Sequence, residues 1–267
     1  MKVEYTVLDP TGNITILVTT PVEIPHQPYV ASKLMELMPK AEQVGFLSET
    51  AGCDIALRMA GGEFCGNASM SAAAYYVSRE GLKKHTVALH VSGADGPVKA
   101  EIEQLCEGKW RGTVHMPRPQ KLEFVDLPGA GSLPVVSFDG ISHVIYEVSG
   151  DISKGLSLSR DAAENLAIEW CRFLGADALG IMFLDIAQSS MTPLVYVPAA
   201  GTLFWENSCA SGTTACGAYA AAKSGGSCGI ALRQPGGTLE IKVTDDGEFL
   251  LTGTVLFTCS GSTFISI

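Results

Sequence analysis

An internal repeat constrains this sequence more than any other feature. When Cys65 is superposed on Cys209, an offset of 144 residues, Ala74-Tyr75 falls on Ala218-Tyr219. The order of elements also repeats, because each half reads as a hairpin, a helix, strands, a cysteine, a helix of small residues and further strands. Two similar domains that each place a cysteine before a helix predict one site to which both cysteines contribute.

The hydrophobic pattern predicts many strands and few helices, and therefore an α+β fold. Residues 9–13 are turn formers between two strand-like runs and predict an N-terminal hairpin. Ser159 is a predicted N-cap, and residues 117–134 carry several proline and glycine residues. We predict a linker there, which divides the chain into domains at residues 1–120 and 121–267. The helical patterns begin at Pro28, Ala68, Asp161 and Ala210.

Composition and charge exclude several classes of function. The net charge is −10, so nonspecific binding to nucleic acid or to anionic lipid is not expected. No apolar run is long enough to span a bilayer and the first residues lack the apolar segment of a signal peptide, which predicts a cytoplasmic protein without a membrane partner. The eight cysteines show no zinc-binding spacing, so we expect no metal, and in a reducing compartment most of them are expected to be free thiols.

Both repeated cysteines stand where a loop becomes a helix. Backbone N–H groups are unsatisfied there, and the helix dipole favours an anion. These positions predict a site for the α-carboxylate of a small-molecule amino acid, and thiols with a lowered pKa. The residues that follow each cysteine are small and let a ligand approach the backbone closely. They are Gly66 and Asn67 in the first loop, and Ala210, Ser211, Gly212 and Thr213 in the second.

Two opposed thiols suit the inversion of a stereocentre. One thiolate removes the Cα proton from one face while the other thiol supplies a proton to the opposite face, and the roles exchange for the other enantiomer. Preorganised backbone N–H groups are the means of stabilising the carbanion-like transition state without a cofactor. The sequence therefore predicts Cys65 and Cys209 as the catalytic pair of an amino-acid racemase.

The motifs around these cysteines resemble those of the diaminopimelate epimerase and proline racemase superfamily. Cys65-Gly66-Asn67-Ala68 is similar to its first cysteine motif, Cys-Gly-Asn-Gly, and residues 208–215 are similar to the second. Pro235-Gly236-Gly237-Thr238-Leu239 resembles a strand turn of the epimerases. The resemblance covers nearly the whole chain. It implies two pseudo-symmetric domains, each a mostly antiparallel β-sheet wrapped around a central helix, no pyridoxal phosphate, and a homodimer as an open option.

The sequence departs from the epimerases at positions that hold diaminopimelate. The epimerases carry an arginine before the second cysteine, whereas here Trp205-Glu206-Asn207-Ser208 leads directly to Cys209. Residues 58–62 replace Phe-Asn-Ala-Asp-Gly, so an asparagine expected to contact the substrate is missing. The Glu-x-Ser-Cys-x-Ser-Gly-Thr form is more similar to the histidine racemases that supply D-histidine for opine metallophores. Histidine racemisation is therefore the first hypothesis, and diaminopimelate epimerisation is the alternative.

Four further residues are candidates for contact with the substrate. Glu206 precedes Cys209 and suits the substrate ammonium or the tuning of the thiol, with a solvated loop acid as the alternative. Glu42 lies where the resemblance implies a cleft residue. Asn13 sits in the first hairpin and His143 where the epimerases have Asn-Pro-His. A turn asparagine and a core histidine are the simpler interpretations of these two residues.

Other functions make different demands on the cysteines. A thiol hydrolase of the Cys/His type needs one essential cysteine. Isomerases of the phenazine-synthesis type share the fold but lack this pair, and a hydroxyproline dehydratase would lose the second cysteine. A relative that binds an amino acid without chemistry, or a redox-sensing thiol pair, remains open. Cys216 also lies in an Ala-Cys-Gly sequence, but two turns into a helix, and we predict that it packs there.

Overall fold

The computed structural model describes residues 1–148 and 158–267. Residue contacts divide the chain into two compact units: a first unit of Met1–His115 with Thr252–Ile267, and a second unit of Met116–Leu251. The predicted domains, residues 1–120 and 121–267, differ from this division at the C-terminus. The last strand pairs with the first strand of the chain, with Lys2 opposite Phe264, and therefore belongs to the first unit.

The first unit is built on a sheet that closes on itself. Neighbouring strands follow the chain order from β1 to β7, and β16 lies beside both β7 and β1. The strands are β1 (Lys2–Pro10), β2 (Thr15–Val18), β3 (Gln43–Ser48), β4 (Ile55–Met59), β5 (Lys84–Val91), β6 (Val98–Cys106), β7 (Lys109–Met116) and β16 (Phe249–Phe264). The helices are α1 (Gln27–Leu37) and α2 (Gly66–Arg79).

Helix α2 is buried along most of its length because it packs against the strands from β1 to β6. Ala72, Ala73 and Ala74 are fully buried, and such small side chains let strands approach a helix from several sides. Gly112 of β7 is needed for the same reason, since a Cβ atom at that position would clash with Met70 Cγ. A large side chain that is fully buried, such as that of Met70, contributes roughly 1.5–3 kcal/mol to folding.

The second unit has the strand order β15-β14-β12-β11-β10-β9-β8, with β13 beside β12. The helix that follows Cys209, α4 (Ala210–Ser224), packs against β9, β10, β11, β14 and β15. It ends at Gly225, whose φ is 77°. The strands are β8 (Lys121–Leu127), β9 (Gly131–Phe138), β10 (Ile141–Glu147), β11 (Leu179–Asp185), β12 (Ser190–Val197), β13 (Thr202–Trp205), β14 (Cys228–Gln234) and β15 (Gly237–Val243). The helices are α3 (Arg160–Leu174) and α4 (Ala210–Ser224).

The succession of strand pairings is the same in both units. In the first unit, β2 and β3 are parallel, β3 and β4 are antiparallel, and β4 and β5 are parallel. In the second unit, β10 and β11 are parallel, β11 and β12 are antiparallel, and β12 and β14 are parallel. Parallel neighbours need a crossover, and each of these four crossovers contains a helix. The helices that follow Cys65 and Cys209 are the second crossover of their respective units.

Most predicted elements agree with the structure, but the predicted linker does not. Ser159 caps α3 as predicted, and its Oγ accepts a hydrogen bond from the Ala162 N–H at 3.2 Å. The linker at residues 117–134 was wrong, because these residues form β8 and most of their hairpin with β9. Trp170 Nε1 of α3 donates to the Pro128 carbonyl at 2.9 Å and holds the turn. Proline and glycine therefore mark a hairpin turn in this region, and the chain passes from the first unit to the second just before it, between His115 and Met116.

The fold is rich in strands and contains few helices in the ranges that the structure describes. Within those ranges, none of the helices combines the length and the hydrophobicity that crossing a membrane requires.

Candidate active site

The first cysteine caps a helix. Cys65 is the N-cap of α2 with an extended backbone (φ −136°, ψ 115°), and its Sγ accepts a hydrogen bond from the Ala68 N–H at 3.4 Å. The Ser69 hydroxyl donates to the Cys65 carbonyl at 2.7 Å and fixes the first turn. Gly66 follows as a buried residue without a side chain. The thiol takes the place of the usual capping oxygen and lies at the positive end of the helix dipole.

A network of polar side chains holds the Cys65 thiol. The thiol donates to Gln43 Oε1 at 2.9 Å, and Gln43 Nε2 donates to Thr15 Oγ1 at 2.8 Å and to Asn13 Oδ1. Asn13 Nδ2 in turn donates to Glu42 Oε2 at 2.5 Å. Because the amide hydrogens of Gln43 point to these oxygens, its own oxygen is turned towards the sulfur. The predicted residues Asn13 and Glu42 therefore lie in one cluster with Cys65.

Gln43 was not among the predicted site residues. It begins β3, and strand alternation places it on the same face as Gly45, which lies against Leu57 and Leu17. That face of β3 points towards the start of α2, where Cys65 lies. In the sequence, Gln43 is recognisable as a polar residue on the inward face of an otherwise buried strand. It directly follows Glu42, which was a predicted site residue.

The second cysteine repeats the capping geometry of the first. Cys209 is the N-cap of α4 (φ −122°, ψ 111°), and its Sγ accepts a hydrogen bond from the Gly212 N–H at 3.4 Å. The Thr213 hydroxyl donates to the Cys209 carbonyl at 2.7 Å, as Ser69 does in the first unit. Ser211 Oγ lies 3.6 Å from Cys209 Sγ. The two helix starts therefore agree in backbone angles, in sulfur contact and in the bond that fixes the turn.

Burial and Glu206 raise the pKa of the Cys209 thiol well above its usual value. Burial is the larger cause, and the Glu206 carboxylate repels the thiolate and accepts a hydrogen bond from the thiol. The Ser211 hydroxyl and the Gly212 N–H act in the opposite direction. The expectation that the helix N-terminus lowers the pKa was therefore wrong for Cys209, because a buried sulfur beside a carboxylate outweighs the helix end. Cys209 is a neutral thiol in this structure.

His143 is a buried imidazole in β10 that contacts the second cysteine loop. Its Nε2 lies 2.9 Å from Ser211 Oγ, and its ring meets Phe138 edge-on with the centroids 5.9 Å apart. Burial lowers the pKa of His143 to about 3, so the ring is neutral at physiological pH. Gly180 of β11 leaves room for the ring, because a Cβ atom there would clash with Nδ1. His143 is thus a core residue that is joined to Ser211.

Thr213, another predicted residue, forms part of the scaffold of the second loop. Its hydroxyl donates to the Cys209 carbonyl and accepts from Gln234 Nε2 at 2.8 Å, while Gln234 Oε1 accepts from the Cys209 N–H at 2.9 Å. Gln234 ends β14, and its distance along the chain from the loop kept it out of the sequence prediction. Ala210 is buried as the first residue of α4, and Asn67 is buried in the first turn of α2.

Cys216 lies inside α4, away from its capped end. Its Sγ is 3.5 Å from Met191 Sδ, and the residue is fully buried. Burial raises the pKa of its thiol, which makes ionisation costly. This environment is that of a packing residue, as predicted. In the part of the chain that the structure describes, there is no group of three or more histidine, cysteine, aspartate or glutamate residues able to hold a metal ion.

Repeated strand pairings and cysteines that cap matching helices point to the class of amino-acid racemases and epimerases, and comparisons with known proteins agree. A family model described as histidine racemase CntK N-terminal domain matches residues 2–263. The histidine racemase of Fusobacterium nucleatum subsp. nucleatum is 32% identical over 267 residues, which cover 98% of this chain and 96% of that protein. The histidine racemase of Staphylococcus aureus (strain Mu50) is 28% identical over 246 residues, covering 89% of this chain and 87% of that protein.

The chain belongs to the histidine racemase family, since the family model matches nearly its whole length. A solved structure, a predicted epimerase from Pseudomonas aeruginosa, shows the same fold with a TM-score of 0.74 and 17% identity, over 98% of this chain and 99% of that one. The resemblance inferred from the cysteine motifs and the prediction of an isomerase are both confirmed.

Proposed function

We propose that this protein is a histidine racemase in which Cys65 and Cys209 exchange the Cα proton of the substrate. The observation that carries the proposal is the matched geometry of the two caps, in which each sulfur lies 3.4 Å from a backbone N–H of the first helical turn. A packing cysteine such as Cys216 has no such contact with a helix end. Membership of the histidine racemase family supports histidine as the amino acid.

The substrate carboxylate is expected at the helix N-termini. Helix α4 begins at Ala210 and helix α2 at Gly66, and the N–H groups at the start of a helix bind anions. The same groups stabilise the negative charge that moves onto the carboxylate when the Cα proton leaves, because preorganised donors act without reorganisation. The chemistry thus uses backbone groups whose placement depends on the small residues of both loops.

The proton at Cys209 has a base beside it. The thiol donates a hydrogen bond to the Glu206 carboxylate, so transfer of this proton to Glu206 leaves a thiolate and a neutral carboxylic acid. The thiolate then accepts the Cα proton, while the Cys65 thiol donates its own proton to the other face of the carbanion. In the reverse direction Cys65 is the base and Cys209 the acid. Each step moves one proton. A turnover from L to D leaves Cys65 as the thiolate and Glu206 protonated, and exchange of one proton with water at each of these two groups restores their starting states.

Asn13 and Glu42 are the proposed contacts for the polar groups of the substrate in the first unit. They lie within the hydrogen-bond network of Cys65, and the Glu42 carboxylate suits an ammonium or an imidazole N–H. In the second unit, Glu206 offers a second acceptor for the substrate ammonium. His143 acts through the second cysteine loop, since it is fully buried and bonded to Ser211.

We further propose that the two units are pseudo-symmetric domains, each with its sheet wrapped around one helix, α2 or α4. The common succession of parallel and antiparallel pairings supports this arrangement, and so do the equivalent caps. A cytoplasmic location follows from the same proposal, because thiol chemistry needs reduced cysteines and all eight cysteines are free.

Chiral chromatography of the reduced protein with L-histidine and, separately, with LL-diaminopimelate tests the proposed function. D-histidine is expected to form from L-histidine until both enantiomers are equal. Cys65→Ser and Cys209→Ser are each expected to lower the rate by at least about 10²-fold, since each removes one of the acid/base groups. The matched control is Cys216→Ser, which leaves the caps intact and is expected to retain activity. Turnover of diaminopimelate alone, or full activity of either cap variant, would contradict the proposal.

A further inference from the structure

We propose that His143 and Ser211 form a polar relay that stabilises the thiolate of Cys209. Ser211 contacts the reacting sulfur directly, and His143 is a positioning residue that acts through Ser211. The observations are the contact of 2.9 Å between His143 Nε2 and Ser211 Oγ, and that of 3.6 Å between Ser211 Oγ and Cys209 Sγ. The inference rests on the proposed function, because it assigns these two residues a part in forming the Cys209 base.

The surroundings of His143 determine which ring nitrogen carries the proton. Nδ1 is buried and has no hydrogen-bond partner among the described residues. Gly180 and the side chain of Met182 lie beside it, and there is no room for a Cβ atom at position 180. A buried N–H without an acceptor costs more than a lone pair without a donor, so the proton resides on Nε2. The Nε2–H group therefore donates to Ser211 Oγ.

This bond directs the serine proton to the sulfur. With its oxygen accepting from His143, the Ser211 hydroxyl has its one hydrogen left to donate, and Cys209 Sγ lies in reach. The direction agrees with the influence of Ser211 on Cys209, since this hydroxyl lowers the pKa of the thiol while the Glu206 carboxylate raises it. The relay thus opposes the effect of Glu206 on the pKa of Cys209, and it stabilises the thiolate once the thiol proton has left.

The first unit has a different arrangement at the equivalent place. The position that matches Ser211 in the repeat is Asn67, and the Cys65 thiol donates to the oxygen of Gln43. An amide oxygen accepts but does not donate, so the thiol is the donor in this contact. The second sulfur has a hydroxyl donor whose orientation is fixed by a buried histidine. Both cysteines therefore have the same cap and an acceptor for the thiol proton, Gln43 Oε1 for Cys65 and the Glu206 carboxylate for Cys209, and Cys209 has in addition the hydroxyl of Ser211.

The pH dependence of Cys209 alkylation tests the relay without a substrate. Iodoacetamide reacts with the thiolate, and peptide mass spectrometry separates Cys209 from the other cysteines. Ser211→Ala is expected to raise the midpoint of alkylation by about one pH unit, which makes reaction about tenfold slower below the midpoint. His143→Leu is expected to shift it in the same direction. His143→Gln restores the wild-type profile, because a glutamine amide donates from near the position of Nε2.

A matched control is available in α2. The Ser71 hydroxyl is buried without a hydrogen-bond partner among the described residues, so Ser71→Ala removes the same group from a cysteine-bearing helix outside the relay. This variant is expected to keep the wild-type alkylation profile and the wild-type racemisation rate. Ser211→Ala is expected to lower kcat for racemisation with little change in KM, because its target is the sulfur.

The outcomes separate the relay from the proposed function. An unchanged midpoint in Ser211→Ala would overturn the relay even if the wild-type protein racemises histidine. A raised midpoint in Ser211→Ala, in a wild-type protein that does not racemise, would support the relay and overturn the proposed function. If His143→Leu fails to fold, the pair of Ser211→Ala and His143→Gln decides the matter: a shifted serine variant beside an unshifted glutamine variant supports the relay. A shifted His143→Gln profile counts against it.

Discussion

Acidification from pH 7 to pH 5 is expected to destabilise the protein through His143. Burial lowers the pKa of this imidazole to about 3 from 6.5, so between these values the unfolded chain binds a proton that the folded chain does not. The unfolded state binds more protons across this window, and stability therefore falls as the pH falls below 6.5. With these two pKa values, the loss between pH 7 and pH 5 is about 2 kcal/mol.

Urea unfolding of wild type and His143→Gln at pH 7 and pH 5 measures this contribution. Glutamine does not titrate, so the free energy of unfolding of the variant is expected to fall by about 2 kcal/mol less than that of wild type. Carboxylates titrate in both proteins and cancel in the comparison. His90→Gln, which removes an exposed imidazole, is the control for loss of a histidine. Equal losses in wild type and His143→Gln would refute the claim that His143 stays neutral in the folded state.

Three further substitutions follow from the same contacts. Glu206→Gln removes the carboxylate that raises the pKa of Cys209, so iodoacetamide is expected to alkylate Cys209 about tenfold faster at pH 7, and no acceleration would contradict the assigned pair. Gly180→Ala drives a Cβ atom into the His143 ring and is expected to cost about 1–3 kcal/mol in urea unfolding. Gly112→Ala is expected to lower the free energy of unfolding by a similar amount, because the added Cβ atom clashes with Met70. Wild-type stability of either alanine variant would contradict the claim that these two positions have no room for a Cβ atom.

Local signals predicted the elements that carry the cysteines. The small residues after Cys65 and Cys209 indicate the start of a helix, and the glycine at position 225 indicates the end of one. Hydrogen bonds of this kind join residues within one turn, so the chain order alone reveals them. The repeat added the information that the two loops are equivalent, and the matched caps agree with it.

Partners that are distant along the chain could not be predicted in this way. Gln43 and Gln234 reach the cysteine loops only because strands β3 and β14 lie beside the helices in three dimensions. The direction of the pKa shift at Cys209 was also wrong for this reason, since the degree of burial depends on packing and not on the helix start. The hairpin of β8 and β9 was mistaken for a linker because proline and glycine serve both purposes.

The fate of deuterium in the first minutes of reaction tests the central claim, two acid/base groups, most directly. L-histidine is incubated with the wild-type protein in deuterium oxide, and the Cα positions of both enantiomers are measured by mass spectrometry after chiral separation. Two thiols predict that the D-histidine formed carries deuterium at Cα while the remaining L-histidine still carries hydrogen, because the removed proton and the delivered one belong to different sulfurs. Equal deuterium in both enantiomers, or D-histidine that retains the original hydrogen, would indicate a single acid/base group and contradict the account.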